Sequence, residues 1–399
     1  MKKKMNHERK TKKHKKHKKS KIYEKKPNKT KKPNKTKKTK NHLKSIKSPK
    51  QIQNPLLFPQ SRKNTYQPSI NQQLISLGSN QKQEIHDCNL KEAFNLKEPL
   101  KIGIPGFFYG KTCFPYDSRE AKKYLLGNLR ANKHIDIRKV VPPKQLLSNC
   151  WFNTMFVTFF ISDKGRYFFH YLRQLMIEGK QKNGIEIPRE LRNAFALFNF
   201  GIDAAIQGNK FAYEMNTNSI IHKIYKSIPD KYKKNEIVDI NEAGNPLLYY
   251  IDIIKYLQNN AINLINLRDT SKNWKDHIAK AYKKTKKIPH IIIMEFFEEN
   301  AAFNKKPVSF RMEDAKFEID SAILRDISKQ HFCSVNTIEK RQIGYDGMSH
   351  HKLISLDWKD KMNSDFFWQF SGTLEETNGN PMRWNFMRSY QLLFYYRIE

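Results

Sequence analysis

The sequence predicts an α+β fold, with helices in the first half of its globular part and strands in the second. Six segments carry apolar residues at helical spacing: 118–126, 150–161, 165–178, 188–206, 212–228 and 246–258. From about residue 287 the pattern changes to short β-rich runs broken by Gly, Asn and Asp, at 289–296, 317–325, 331–338, 341–345, 366–371 and 390–398. Helices first and strands later argue for segregated layers rather than alternating βα units.

Charge divides the chain before its periodicity does. Its 399 residues carry a formal net charge of +37, and residues 1–50 hold +22 of it, with 24 Lys/Arg and two acids. The hexapeptide KKPNKT occurs twice in tandem, at 25–30 and 31–36. Such a segment buries too little apolar surface to offset roughly 1–2 kcal/mol of backbone entropy per residue, so a disordered basic tail is expected over 1–50. Its charge suits polyanions, either nucleic acid bound without sequence preference or an acidic surface. Tyr23 is its one aromatic for base stacking. Residues 51–100, rich in Gln, Asn, Ser and Pro, read as a linker. Residues 101–399 read as one domain, helical over 101–286 and β-rich over 287–399.

Composition also excludes classes. The four cysteines, Cys88, Cys113, Cys150 and Cys333, form no CxxC pair. Neither a zinc ribbon nor a secreted disulfide scaffold is expected, and a reducing, intracellular setting is the default. The longest nearly apolar run, 150–161, falls short of the roughly 20 residues a spanning helix needs. No membrane partner is expected, and the charged start does not read as a signal peptide.

One motif proves a decoy. Gly110, Lys111 and Thr112 end like a phosphate-binding loop, but the first glycine of that pattern falls on Pro105. Phe107, Phe108 and Tyr109 are bulky where the backbone should wrap phosphate, and Pro115 is awkward for the helix that should follow. No nucleotide or other cofactor is expected.

The sharpest local signal runs from Gln145 through Asn149, Cys150, Trp151, Phe152, Asn153 and Thr154. Pro142 and Pro143 force an extended approach, and an apolar run follows with room for three helical turns. Cys150 therefore falls at a helix N-terminus, where the dipole and free N–H groups favour a thiolate. Gln145 could offer its amide to an oxyanion. A buried structural cysteine is the competing reading. Further on, His331 opens a strand-like run shared with Cys333 and Val335. The next run ends at the turn dipeptide Asp346–Gly347, so two antiparallel strands bring Asp346 back beside His331. An Asp that orients a His that activates a Cys is the logic of a catalytic triad. Cys333, in mid-strand and away from any helix start, is expected to be inert.

These residues resemble the ubiquitin-specific proteases, a papain-like cysteine protease family. That family's Cys box has an amide residue five places before the cysteine, then an aromatic, any residue, Asn and Ser or Thr. Here those places are Gln145, Cys150, Trp151, Phe152, Asn153 and Thr154. Phe317, Ile319, Ala322 and Ile323 lead to His331, Phe332, Ser334 and Val335, then Tyr345 and Asp346. Tyr390, Leu392, Phe394, Tyr395 and Arg397 match the closing aromatic strand, and 289–294 the strand before the His box. The similarity spans about 140–399. The chain also resembles thiol proteases of giant DNA viruses, which would place it in host cytoplasm or nucleus, or in a virion.

The resemblance implies a papain-like fold, with a helical thumb against an antiparallel palm sheet. It implies Cys150 as nucleophile, His331 as base and acid, Asp346 as its orienting partner and Gln145 as oxyanion donor, with Asn149 as the alternative donor. It implies ubiquitin or a ubiquitin conjugate as protein substrate. There are departures. The family has Asn where Gln145 stands and Gly where Gln330 stands, and its zinc-bearing CxxC pairs are absent. Two alternatives stay open: a protease of the same fold acting on other proteins, such as viral ones, and a non-enzymatic basic scaffold associated with nucleic acid or a virion.

Overall fold

The computed structural model describes residues 88–399 apart from 89, 106–110, 132–133, 210, 234–244, 259–263, 268–273, 330, 351 and 374–381. The expected tail over 1–50, the linker up to 87, and positions Gly106, Gly110, Gln330 and His351 lie outside the described residues. Helices dominate the first part: α1 (Leu90–Phe94), α2 (Arg119–Ala131), α3 (Cys150–Phe160), α4 (Asp163–Phe168), α5 (His170–Glu178), α6 (Arg189–Gln207), α7 (Phe211–Glu214), α8 (Thr217–Ser227) and α9 (Pro246–Gln258). A separate antiparallel hairpin joins β1 (Lys101–Pro105) to β2 (Lys111–Pro115).

The second part builds an eight-stranded sheet. Its strands are β3 (Leu264–Leu267), β4 (Ile291–Phe296), β5 (Ser309–Met312), β6 (Ala315–Arg325), β7 (Phe332–Ile338), β8 (Arg341–Tyr345), β9 (Leu353–Ser355) and β10 (Gln391–Arg397). They lie in the order β3-β4-β10-β6-β7-β8-β9, with β5 also paired to β6. The expectation of an antiparallel sheet needs one correction: β3 runs parallel to β4. The connection between them carries helix α10 (Trp274–Thr285), the kind of long crossover that parallel neighbours require.

Both faces of the sheet are covered, which explains strands that read as unbroken apolar runs. In β4, Ile291 and Ile293 face the helices, while Ile292, Met294 and Phe296 enter a second core with Trp358, Trp368 and Trp384. In β10, Leu392, Phe394 and Tyr396 take the helical side, and Leu393 and Tyr395 the other. Helix α3 is buried along its whole length, as a helix apolar all round must be. Its Phe159 stacks on Phe169 at 4.1 Å and meets Phe394 of β10 edge-on at 5.6 Å. Inside the helical half the buried Arg173 is paired: its Nε donates to Asn199 at 2.8 Å and its Nη2 to Asp203.

A polar seam joins the helices to the sheet. Thr158 Oγ1 bonds Asn336 Oδ1 of β7 at 3.3 Å. Arg166 pairs with Glu339 at 2.8 Å, and Asp163 accepts the backbone N–H groups of Glu339 (2.8 Å) and Lys340 (2.9 Å) in the β7–β8 turn.

Several elements differ from the sequence reading. The expected helix 165–178 breaks at Phe169, and 212–228 breaks before Asn216, whose side chain caps α8. The expected strand 366–371 is reduced to one bridge, Trp368 to Trp384. Lys111 and Thr112 sit on β2, not at the strand-to-helix junction a phosphate loop needs. Residues 90–100, expected as linker, pack onto the body through Ala93, Leu100 and Phe94, the last against Phe200 and Phe211. Cys88 and Cys113, for which the sequence offered no pairing, form a disulfide. Their separation of 25 residues carries no motif. Among the described residues no helix is long and apolar enough to cross a membrane.

Gly165 lies in the first turn of α4, close against the end of α3. A Cβ there would stand 2.2 Å from the Thr158 carbonyl oxygen and 2.6 Å from Ser162 Oγ. The nearest obstacle is backbone and cannot swing aside. Gly165→Ala is therefore expected to destabilise the protein by about 2 kcal/mol or more, read as a lower urea midpoint at unchanged slope.

Candidate active site

Cys150 begins α3, and the loop before it is held by side-chain amides. Asn149 Oδ1 accepts the Leu146 N–H at 3.0 Å and Asn153 Nδ2 at 3.3 Å, while Asn149 Nδ2 donates to Thr217 Oγ1 at 2.8 Å. Thr217 donates on to Asn153 Oδ1 at 3.0 Å, and Asn153 Nδ2 reaches the Lys144 carbonyl at 3.2 Å. Asn218 closes the set on the Leu146 carbonyl at 3.0 Å. These bonds fix a turn in which Leu147 has φ of 55° and is 87% exposed. Asn149 is thereby engaged at both ends of its amide, with one of its two Nδ2 hydrogens committed to Thr217.

His331 lies just before β7. Asp326 grips the turn that presents it: Oδ1 accepts the His331 N–H at 2.6 Å, Oδ2 accepts the Ser328 N–H at 2.8 Å, and the Asp326 N–H donates to the His331 carbonyl at 2.8 Å. His331 Nε2 bonds Asp346 Oδ1 at 2.7 Å, and both residues are buried. The Cys150 thiol lies close enough to the imidazole to help hold its charge. Trp384 packs edge-on against the ring, centroids 5.9 Å apart. The structure thus brings Cys150, His331 and Asp346 together, from the helical half and the sheet.

Gln145 comes to the same place by its backbone. Its N–H donates to the Gly347 carbonyl at 3.3 Å, beside Asp346, and Tyr345 Oη donates to the Pro143 carbonyl at 3.0 Å. Its Nε2 reaches the Leu147 carbonyl at 3.3 Å, while Oε1 is buried without a hydrogen-bond partner. Cys333 is fully buried in the second core; burial, then the Asp346 and Asp326 carboxylates, push its thiol well up.

Electrostatics favours an ionised pair. Burial opposes a charge on His331, but the Asp346 carboxylate and its hydrogen bond, with a contribution from Cys150, hold the imidazole protonated up to about 10. Burial likewise opposes the Asp346 charge. It is outweighed by His331, by Thr373 Oγ1 at 2.5 Å and by the Met348 N–H at 2.9 Å, and the carboxyl lies below its ordinary value. Thr373, Asp326 and Thr217 were not singled out in the sequence, and Asn153 entered it only as part of the Cys box. Only Asp326, followed by Ser328 in a turn between strands, had a local signal.

The raised His331 contributes stability that is full below about pH 6.5 and lost as pH rises through about 10. The lowered Asp346 contributes stability present above about pH 4 and lost on acidification. Thermal melts from about pH 2 to 11 should therefore show both arms of this bell. Asp346→Asn should flatten its alkaline side and cost about 3–5 kcal/mol near neutrality.

No family description matches the sequence, and no curated protein matches it. Solved structures give remote likenesses. One is the SAGA Ubp8/Sgf11/Sus1/Sgf73 DUB module bound to ubiquitin aldehyde, at 9% identity and TM-score 0.39, covering 65% of this chain and 70% of that one. The same module bound to monoubiquitin has 8% identity and TM-score 0.39, covering 82% and 94%. An essential yeast splicing factor has 10% identity and TM-score 0.29, covering 75% and 84%.

Proposed function

We propose that this chain is a cysteine-dependent hydrolase of peptide or isopeptide bonds, with a papain-like division into a helical half that carries the nucleophile and a sheet that carries its base. The observation that supports it most is the meeting of a thiol at a helix start with an imidazole whose Nε2 is bonded to a buried carboxylate. In this reading Cys150 sulfur attacks the scissile carbonyl carbon. A carbon–sulfur bond forms and the carbonyl oxygen becomes an oxyanion, held by the Cys150 backbone N–H and the Gln145 amide. His331 protonates the leaving amine, and the carbon–nitrogen bond breaks to leave a thioester. The neutral imidazole then takes a proton from water, whose oxygen bonds the thioester carbon; the carbon–sulfur bond breaks, the carboxylic product leaves and the sulfur regains the proton from His331. Asp346 keeps the ring oriented throughout, without taking the proton.

Ubiquitin conjugates are the substrate class this reading favours, on the strength of the four sequence boxes. The basic tail, residues 1–50, is assigned to polyanion contact and to no step of the chemistry.

Full-length protein treated with ubiquitin bearing a C-terminal electrophile should gain one ubiquitin by intact mass, and Cys150→Ala should gain none. An adduct on Cys333, or one that persists in Cys150→Ala, would remove Cys150 from its role. No adduct, with fast His331-dependent alkylation of Cys150 by iodoacetamide, would keep the hydrolase and discard ubiquitin. Deleting residues 1–85 should change the alkylation rate by less than about twofold, since a screened, remote tail adds little at physiological salt.

A further inference from the structure

We propose that Lys352 is a positioning residue, whose ammonium fixes the Gly347 carbonyl and through it holds the Gln145 segment in place beside Cys150. This inference rests on the hydrolase reading above. Lys352 is 5% exposed, yet its Nζ donates to the Gly347 carbonyl and, at 3.4 Å, to the Ser349 carbonyl. The same Gly347 oxygen accepts the Gln145 N–H from the helical half at 3.3 Å. A Cβ on Gly347 would lie 3.1 Å from Gln145 Cβ, so the two segments touch. One carbonyl therefore carries a buried cation on one side and the oxyanion segment on the other.

The histidine–aspartate pair does not need this cation. Asp346 is held by His331, Thr373 and the Met348 N–H, and its own N–H donates to the Lys352 carbonyl at 3.1 Å, a bond any side chain at 352 would keep. The ammonium's hydrogen bonds thus lead toward Gln145 and not to the base, and only its charge reaches Asp346. A buried ammonium is costly. Burial lowers Lys352 to about 8, with Asp346 opposing and Lys144 adding to the fall. The fold has a second such lysine, Lys306, bonded to the Ala301 and Asn304 carbonyls. That one ties up only its own loop. Lys352 shares its acceptor with a segment some two hundred residues away in the chain.

Two reactions of the full-length protein separate this role from a merely structural one. Alkylation of Cys150 by iodoacetamide requires the thiol–imidazole pair and develops no oxyanion. Acylation by p-nitrophenyl acetate requires both: sulfur bonds the acetyl carbon, the carbon–oxygen bond breaks, and nitrophenolate leaves in a burst. Lys352→Met should alkylate within about twofold of wild type but acylate about tenfold or more slowly. Lys352→Arg, which keeps a charged donor, should recover part of the loss. Gly347→Ala, which displaces Gln145 while leaving the ammonium, should show the same split if Lys352→Met does not fold. Equal losses in both reactions, tracking a lower melting temperature, would reduce Lys352 to a structural role. No loss in either would overturn the proposal outright. A burst that survives Cys150→Ala would instead overturn the hydrolase reading.

Discussion

A buried carboxylate must find a partner for each of its oxygens, and much of the sheet's organisation around Asp346 follows from that requirement. Oδ1 takes His331 and the Met348 N–H, and Oδ2 takes Thr373. To supply these donors the chain must bring together the start of β7, the turn after β8 and the stretch around Thr373. Removing any one leaves a low-dielectric site with an unmet charge, where the penalty is largest. Trp384, packed on the imidazole, adds apolar cover on one side of the pair.

The helical half meets the same requirement by different means. Helix α3 has no charged side chain, and its apolar faces are buried on every side. Precision at its first residue comes instead from neutral amides and a hydroxyl: Asn149, Asn153, Thr217 and Asn218. Neutral groups hold geometry without adding a field of their own beside the thiol. The charges near Cys150 are then those of the sheet side, His331 and Asp346. A helix carries the nucleophile and a sheet carries the ions, and the two are joined at the backbone level by Gln145 to Gly347 and Tyr345 to Pro143.

Much of this was legible in the sequence wherever a signal was local. Segment 246–258 was read at its observed bounds because its apolar stripe is continuous, and 341–345 because turns flank it on both sides. Cys150 was visible from two prolines followed by an apolar run, His331 and Asp346 from strand alternation and a turn dipeptide. The rest depends on residues distant in sequence. Nothing about Thr373 or Lys352 alone says that either reaches the Asp346 turn. Helix α10 was hidden by its lysines, since its buried apolar contacts reduce to Trp274 and Ile278. Strand β3 spans four residues, too few for alternation to show. Phe169 and Asn216 broke two expected helices because close packing and a side-chain cap, not periodicity, decide where a helix ends.

The position of β10 bears on how the protein is made. This strand lies between β4 and β6, yet it follows β4 by about a hundred residues in the chain. During synthesis, at roughly 5–20 residues per second, β4 and β6 wait several seconds without the strand that joins them. Over that interval Cys150 and His331 both exist, but the sheet that sets them against each other is open. The half of the sheet that leads to His331 is therefore joined to β4 only when β10 docks between β4 and β6.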